Sequence, residues 1–141
     1  MRRFENQSIL ITAAASGLGL GVALRLVDEG GDVTIWDRDK KAILSVEKHG
    51  RKNMHRLHCY AVDLTDGTAI SSAVEELYER AGRIDVLVNN IGGSLHTPFK
   101  FLQQTDEDWR RVFDINVTAC VKVTRPVLPH MIKAGYGRII N

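Results

Sequence analysis

The chain is predicted to fold as an α/β protein, a doubly wound parallel sheet held between two helical layers. Two features of the sequence carry this. Short apolar runs alternate with segments of helical period along the whole chain. The runs are also apolar throughout, as strands covered on both faces must be, whereas half-exposed strands would alternate apolar with polar residues. No internal repeat or low-complexity tract interrupts the pattern.

The elements follow in order. Ser8–Thr12 is a buried strand, and Gly17 to Glu29 a helix with Val22, Leu26 and neighbours facing inward, ended by Gly30-Gly31. Asp32–Asp37 is the second strand and Asp39–Lys48 the second helix. Lys48 to Arg56 is a basic, glycine-containing loop, best taken as a solvated connection, and His58–Val62 the third strand. Thr65 or Asp66 caps a helix whose apolar set is Ile70, Val74, Leu77 and Ala81. Ile84–Val88 is the fourth strand. A polar, glycine-rich loop leads into a long helix from Asp106 to about Lys133, with bends expected at Pro126 and Pro129. Gly135 and Gly137 stop it, and Arg138-Ile139-Ile140 starts a fifth strand.

The size, 141 residues, suits one domain spanning residues 1–141. The formal net charge of +2 is too mild to point to a nucleic-acid partner. Cys59 and Cys120 lie far apart without metal-ligand spacing and read as reduced, buried thiols. His55, His58 and Cys59 are close in sequence, but strand alternation sends His58 and Cys59 to opposite faces, so no metal site is expected. Asn6 to Leu24 is free of charge, yet its apolar core, Ile9 to Ile11, is far shorter than the roughly 7–15 residues of a leader's apolar stretch. A soluble, cytoplasmic chain without a membrane partner is expected.

In such a sheet, ligands sit beyond the carboxyl ends of the strands. The first loop there is Thr12-Ala13-Ala14-Ala15-Ser16-Gly17-Leu18-Gly19. Gly17 and Gly19 at a helix mouth let backbone approach a diphosphate, whose charge the helix amides and dipole attract. Equally, small residues there serve close strand–helix packing. Asp37, at the end of the second strand, stands where an acid accepts hydrogen bonds from both hydroxyls of an adenosine ribose; its plain alternative is a cap for the next helix. Asp63 ends the third strand and can hold an adenine amino group or cap a helix. In Asn89-Asn90-Ile91-Gly92-Gly93 the amides suit tying strand ends together and the glycines suit a close cofactor, unless the segment is a simple turn.

Together these residues resemble the short-chain dehydrogenase/reductase family. TAAASGLG resembles its TGxxxGxG motif, NNIG its NNAG, and Asp63 its adenine-binding Asp. Phe113-Asp114-Ile115-Asn116-Val117 matches the helix that supplies its catalytic Asn, which falls at Asn116. His130-Met131 and Gly137–Asn141 look like its lead-in to the fifth strand. The likeness runs the whole chain and removes the rival methyltransferase reading, which shares the glycines and Asp37 but has no use for NNIG.

The resemblance implies a Rossmann-type, three-layer α/β/α sheet of strand order 3-2-1-4-5, stopping after the fifth strand and thus incomplete for the family. It implies hydride transfer between a nicotinamide and an alcohol or carbonyl substrate. The implied cofactor set is Thr12, Ala13, Ser16, Gly17, Leu18, Gly19, Asp37, Arg38, Asp63, Leu64, Asn90, Ile91 and Gly92. Asn116 would help order a water relay. Asp37 favours NAD over NADP, because its charge repels a 2′-phosphate, although Arg38 beside it could embrace one.

Two positions depart from the pattern: Ala13 replaces its first glycine and Ile91 a small residue. A methyl at Ala13 is tolerable where φ is negative. The family's Ser and Tyr-x-x-x-Lys are absent: the residues four after Tyr60, Tyr78 and Tyr136 are Leu64, Gly82 and Ile140. A nucleotide-binding half without turnover of its own is therefore expected, the alternative being a non-catalytic fragment acting through partners. Ser45-Val46-Glu47-Lys48 has an acylating-serine spacing but lies on an ordinary amphipathic helix. Ser94 and His96 either line a substrate pocket or belong to an ordinary loop. The family commonly dimerises through helices corresponding to Phe101–Ala134 and its neighbour, so a homo-oligomer is expected.

Overall fold

A computed structural model describes residues 2–48 and 53–141. The strands are β1 (Ser8–Thr12), β2 (Asp32–Asp37), β3 (Leu57–Ala61), β4 (Val86–Val88) and β5 (Arg138–Ile140). The helices are α1 (Gly17–Asp28), α2 (Lys40–Glu47), α3 (Gly67–Ala81), α4 (Asp106–Phe113) and α5 (Ala119–Ala134). All neighbouring strands run parallel, in the expected order β3-β2-β1-β4-β5. The basic segment of the sequence falls partly, at residues 49–52, outside the described residues; Met54–Arg56 form a short 3₁₀ turn.

Strand alternation divides the core into two halves. From β1, Ile9 and Ile11 pack with Val33 and Ile35 of β2 under α1 and α2, against Ala23, Val27, Ile43 and Val46. Leu10 points the other way, with Trp36 and Leu87, under Ile70, Val74 and Leu77 of α3 and Val123, Val127 and Met131 of α5. Helices on both faces make the three layers. The buried stripe of α1 is centred on Ala23 and Val27, one position beyond Val22 and Leu26, which are only half-buried.

The expectation that strands are covered on both faces holds for the centre and fails at the edges. β1 is buried at every position, whereas β3 becomes exposed toward its carboxyl end and β5 is exposed along its length. An edge strand has one neighbour, and here the helical layers lie mainly over β1, β2 and β4.

Helix starts follow capping chemistry. Asp39 accepts from the amides of Lys41 and Ala42, and Asp66, not Thr65, accepts from those of Thr68 and Ala69. Thr105 and Asp108 form a capping box at α4. Such caps contribute about 1 kcal/mol each. At the other end of α1, Glu29 is clamped by Arg3 and Arg25, which tie the N-terminal segment to the helix. The two guanidiniums, Arg3 foremost, hold the Glu29 carboxyl down to about 2.

The long helix is interrupted, though not at its prolines. Pro126 and Pro129 lie inside α5, and the break in α-helical bonding comes earlier, as a π-turn over Asp114–Thr118. Cys59 and Cys120 are free thiols, half-buried where full burial was expected. Burial pushes Cys59 up to about 11. No described helix is long and apolar enough to cross a membrane.

Candidate functional site

The carboxyl ends of β1, β2 and β4 are stitched together by side chains that bond backbone. The Thr12 hydroxyl donates to the Val88 carbonyl (3.4 Å) and accepts from the Ile91 amide (3.1 Å), bridging β1 and β4. Asn90 Nδ2 donates to the carbonyls of Thr12 (3.1 Å) and Ala13 (2.8 Å). On the opposite side, the Ala14 amide donates to the Trp36 carbonyl (3.2 Å) and the Ala15 amide to Asp37 Oδ2 (3.1 Å). The loop from Thr12 to Ser16 is thereby fixed to the strands on both sides of it.

The loop's glycines are needed for different reasons. Gly17 has φ +55°, the left-handed region that suits glycine. A Cβ on Gly19 would lie 2.6 Å from Asn90 Nδ2 and 2.9 Å from the Ala14 Cα, so only glycine lets α1 approach β4. The close-packing explanation thus accounts for Gly19. Ala13 departs from expectation: its φ is +51°, not negative. An L-residue there carries about 1–2 kcal/mol of strain, and the Asn90 amide on its carbonyl helps to hold it.

Past the loop, Ser16 caps α1 by backbone alone, and the first intrahelical bond runs from the Leu20 amide to the Ser16 carbonyl. The amides of Gly17, Leu18 and Gly19 precede that bond and emerge at the helix mouth. The first turn carries no acidic residue, so the positive end of the helix dipole faces outward uncompensated. Gly17 and Leu18 are exposed there, Leu18 to 79%.

Asp37 supports the start of α2, whose cap is Asp39, and also reaches the glycine loop. Oδ1 accepts from the Asp39 amide (3.0 Å), organising the start of α2, while Oδ2 holds the glycine loop. Each carboxylate oxygen retains a second lone pair. Asp63 Oδ1 accepts from the Thr65 amide (2.9 Å) and hydroxyl (2.7 Å), and these donors hold its carboxyl below the usual range.

A cleft of about 160 Å³ collects Ala13, Asp37, Arg38, Asp63, Leu64, Ile91 and Gly92 on its walls. Thr12 and Asn90 lie behind it as braces, and Ser16, Gly17, Leu18 and Gly19 form the helix mouth. The walls also include Val62, Thr65, Leu95 and Ile115, which the sequence reading passed over. Val62 and Thr65 flank Asp63 and could have been inferred from it, and Ile115 from its place beside Asn116 in the matched stretch; Leu95 carried no recognisable signal. Of the two undecided loop residues, Ser94 turns toward Thr97, Gln104 and Trp109, away from this cleft, and His96 is exposed.

Asn116 lies within the π-turn, a form of helix often found at functional sites. Its side chain is fully engaged with the loop after the Asn pair. Oδ1 accepts from the Gly93 amide (3.0 Å), and Nδ2 donates to the carbonyls of Gly93 (2.9 Å) and Val112 (2.8 Å). A Cβ on Gly92 would meet Asn116 Oδ1 at 2.6 Å, which explains that glycine. Asn89 Nδ2 donates to Thr124 Oγ1 (3.1 Å) and Asn141 Oδ1 (2.8 Å), joining β4 to α5 and to the residue after β5. Among the described residues, no cluster of His, Cys, Asp or Glu is arranged to hold a metal ion.

The strand order and the glycine loop at the carboxyl edge are those of a Rossmann-type α/β sheet. The pattern of the short chain dehydrogenase family matches residues 7–141, and the chain belongs to that family. It is 35% identical over 139 residues to the 3-oxoacyl-(acyl-carrier-protein) reductase FabG of Thermotoga maritima, covering 99% of this chain and 56% of that protein. It is 34% identical to the meso-2,3-butanediol dehydrogenase of Serratia marcescens, covering 99% of this chain and 53% of the relative. Among solved structures, NAD⁺-bound xylitol dehydrogenase superposes with a TM-score of 0.86 at 30% identity, over 97% of this chain and 52% of that one. ElxO with NADP bound gives 0.87 at 26%, over 94% and 53%. The chain thus spans about half the length of the relatives it matches.

Proposed function

We propose that residues 1–141 form a single dinucleotide-binding domain of an NAD-dependent oxidoreductase, whose reaction moves hydride between the cofactor and the alcohol or carbonyl carbon of a small molecule. The observation that carries this is the double role of Asp37, which faces the cleft while holding the Ala15 amide of the glycine loop. Recognition of a ribose is thereby coupled to placement of the helix mouth that receives a diphosphate.

The residues fit such a ligand, and each task follows from its chemistry. The amides of Ser16, Gly17, Leu18 and Gly19 bind diphosphate oxygens at the positive end of α1. Asp37 accepts from the ribose hydroxyls. Asp63 accepts from the adenine amino group, with the Leu64 backbone beside it, and Ala13, Ile91 and Gly92 line the base's side of the cleft. Thr12 and Asn90 keep the strand ends in register. The nicotinamide, when bound, supplies the hydride acceptor or donor. Asn116 holds the loop that follows the Asn pair and, by family resemblance, contributes to a water relay. The Ser and Tyr-x-x-x-Lys on which the family's proton transfer depends have no counterpart in these 141 residues. Binding without turnover is therefore the behaviour proposed for them.

NAD is favoured over NADP because Asp37 cannot easily turn away. Two backbone amides fix its carboxylate where a 2′-phosphate would sit, whereas Arg38 is exposed and free to swing outward. Calorimetric titration with each dinucleotide checks this. The unmodified protein should bind NAD at least about tenfold tighter than NADP, and Asp37→Ala should narrow or reverse that ratio. Tighter NADP binding by the unmodified protein would refute the assignment.

A second reading is a nucleotide-binding protein that acts only through partners. What is encoded after Asn141 separates the two. A Ser followed by Tyr-x-x-x-Lys favours the enzyme, and a stop codon favours the second reading. We also place the protein in the cytoplasm, on its free half-buried thiols, and as a homo-oligomer, on the exposed apolar residues of α4 and α5.

A further inference from the structure

The loop after the Asn pair carries strain that the reading above does not use. Leu95 has φ +53° and His96 φ +58°, two successive side-chain-bearing residues in the left-handed region. Each costs about 1–2 kcal/mol relative to ordinary backbone. Strain of this kind persists only where the surroundings over-determine it. Here the anchors are explicit. Asn116 takes both polar groups of Gly93, the Thr97 amide closes a turn on the Ser94 carbonyl (3.0 Å), and Gln104 Nε2 holds the Pro98 carbonyl (2.8 Å). One consequence of this strain is the position of Leu95. It is half-buried and lines the same cleft as Asp37 and Asp63, with Ile91 and Ile115 as its aliphatic companions.

We propose that Leu95 is a positioning residue for the dinucleotide, gripping its adenosine half, and that Asn116 holds the strained loop in place for that contact. This rests on the dinucleotide reading above. The polar groups of the cleft, Asp37 and Asp63, suit ribose hydroxyls and an amino group. The flat, apolar faces of a purine need aliphatic walls, and Leu95 extends the wall that Ile91 and Ile115 begin. A leucine kept in a disfavoured conformation on a cleft wall trades local stability for contact with a ligand.

The test is calorimetric titration of the protein with AMP, ADP-ribose and nicotinamide mononucleotide, alongside thermal melts. Two variants are used: Leu95→Ala, and Leu95→Asn, whose side chain tolerates the left-handed region. Both should weaken AMP and ADP-ribose about tenfold and leave nicotinamide mononucleotide unchanged. The melting temperature of Leu95→Asn should equal or exceed that of the parent. Asn116→Ala should weaken AMP as well, and combining it with Leu95→Ala should cost no more than the larger single loss. Variants that bind AMP as the parent does, or that lose all three ligands equally, overturn the role of Leu95; additive losses overturn the link to Asn116. Failure of the unmodified protein to bind any adenosine ligand overturns the dinucleotide reading itself, and that result is visible before any substitution is made.

Discussion

The two sides of β1 are finished differently. Toward β2, the strand ends and the glycine loop are locked by Asp37, the Trp36 carbonyl and the cap of α2, and Val33 and Ile35 are wholly buried. Toward β5, the inner face of α5 is packed through Val123, Val127 and Met131, but its outer face exposes Val121, Leu128 and Ile132, and β5 is uncovered. The first side holds the residues proposed to receive a dinucleotide, in a fixed arrangement. The second offers apolar surface that the described residues leave uncovered. The glycine loop is thus fixed by polar bonds to its neighbours, whereas the far side of the sheet is held by the inner face of α5.

The strongest way to break the first side is to fill the contact that brings α1 to β4. Gly19→Ala places its methyl against Asn90 and the Ala14 backbone, and Asn90 cannot retreat without releasing the carbonyls of Thr12 and Ala13. A loss of about 1–3 kcal/mol is expected, together with loss of dinucleotide binding. Gly21→Ala, two residues along the same helix in open space, should instead gain about 0.5–1 kcal/mol. Urea denaturation of the pair checks both signs, and equal effects would show that Gly19 is not a contact point.

On the second side, Leu128→Glu with Ile132→Glu should alter monomer stability by no more than about 0.5 kcal/mol, as exposed positions do. The same change should shift the protein toward monomer in sedimentation velocity across a concentration series. Sedimentation identical to the parent's would remove this face of α5 from the contact.

How much of this was legible in the sequence follows the same division. The central strands and the helices α1, α2 and α3 were legible because burial on one or two faces imposes a period, and because Asp39 and Asp66 mark helix starts; the stretch from Asp106 read as one helix where the structure has two. The acids at the strand ends were legible from the ends of the apolar runs, and the structure brings Asp37 and Asp63 to one cleft. What could not be read depends on distance or on conformation without a residue signature. The Ala15–Asp37 bond joins positions 22 apart and exists only through the pairing of Thr12 with Trp36. The π-turn at Asp114–Thr118 has the apolar spacing of ordinary helix. Leu95 and Ala13 take positive φ where glycine or asparagine would have announced it.

A smaller effect tests how the N-terminal segment is tied to the well-packed side. Arg3 and Arg25 hold the Glu29 carboxyl at about 2 in the folded protein, below its ordinary 4.5. Its contribution is therefore complete above about 4.5 and disappears as the pH falls toward about 2. Both arginines are largely exposed, so solvent screening keeps the effect modest. The urea midpoints of the parent and Glu29→Gln should differ at neutral pH and converge on acidification across that window. A difference that persisted at the acid end would show that the clamp acts by packing and not by charge.

The smallest expected change lies at the centre of the locked side. Ala13→Gly removes the left-handed strain of an alanine, about 1–2 kcal/mol, and adds about 0.5–1 kcal/mol of chain entropy to be lost on folding. The net is a gain of roughly 0.5 kcal/mol, readable as a slightly higher denaturation midpoint with unchanged steepness. The Ala13 carbonyl should stay on Asn90, because that bond is made by backbone and survives the substitution. Dinucleotide affinity should then be held or fall slightly, since a methyl leaves the cleft wall while the braces remain. A clear loss of stability would mean that the methyl packs more productively than its backbone strain costs, and would move Ala13 from a tolerated departure to a supporting contact.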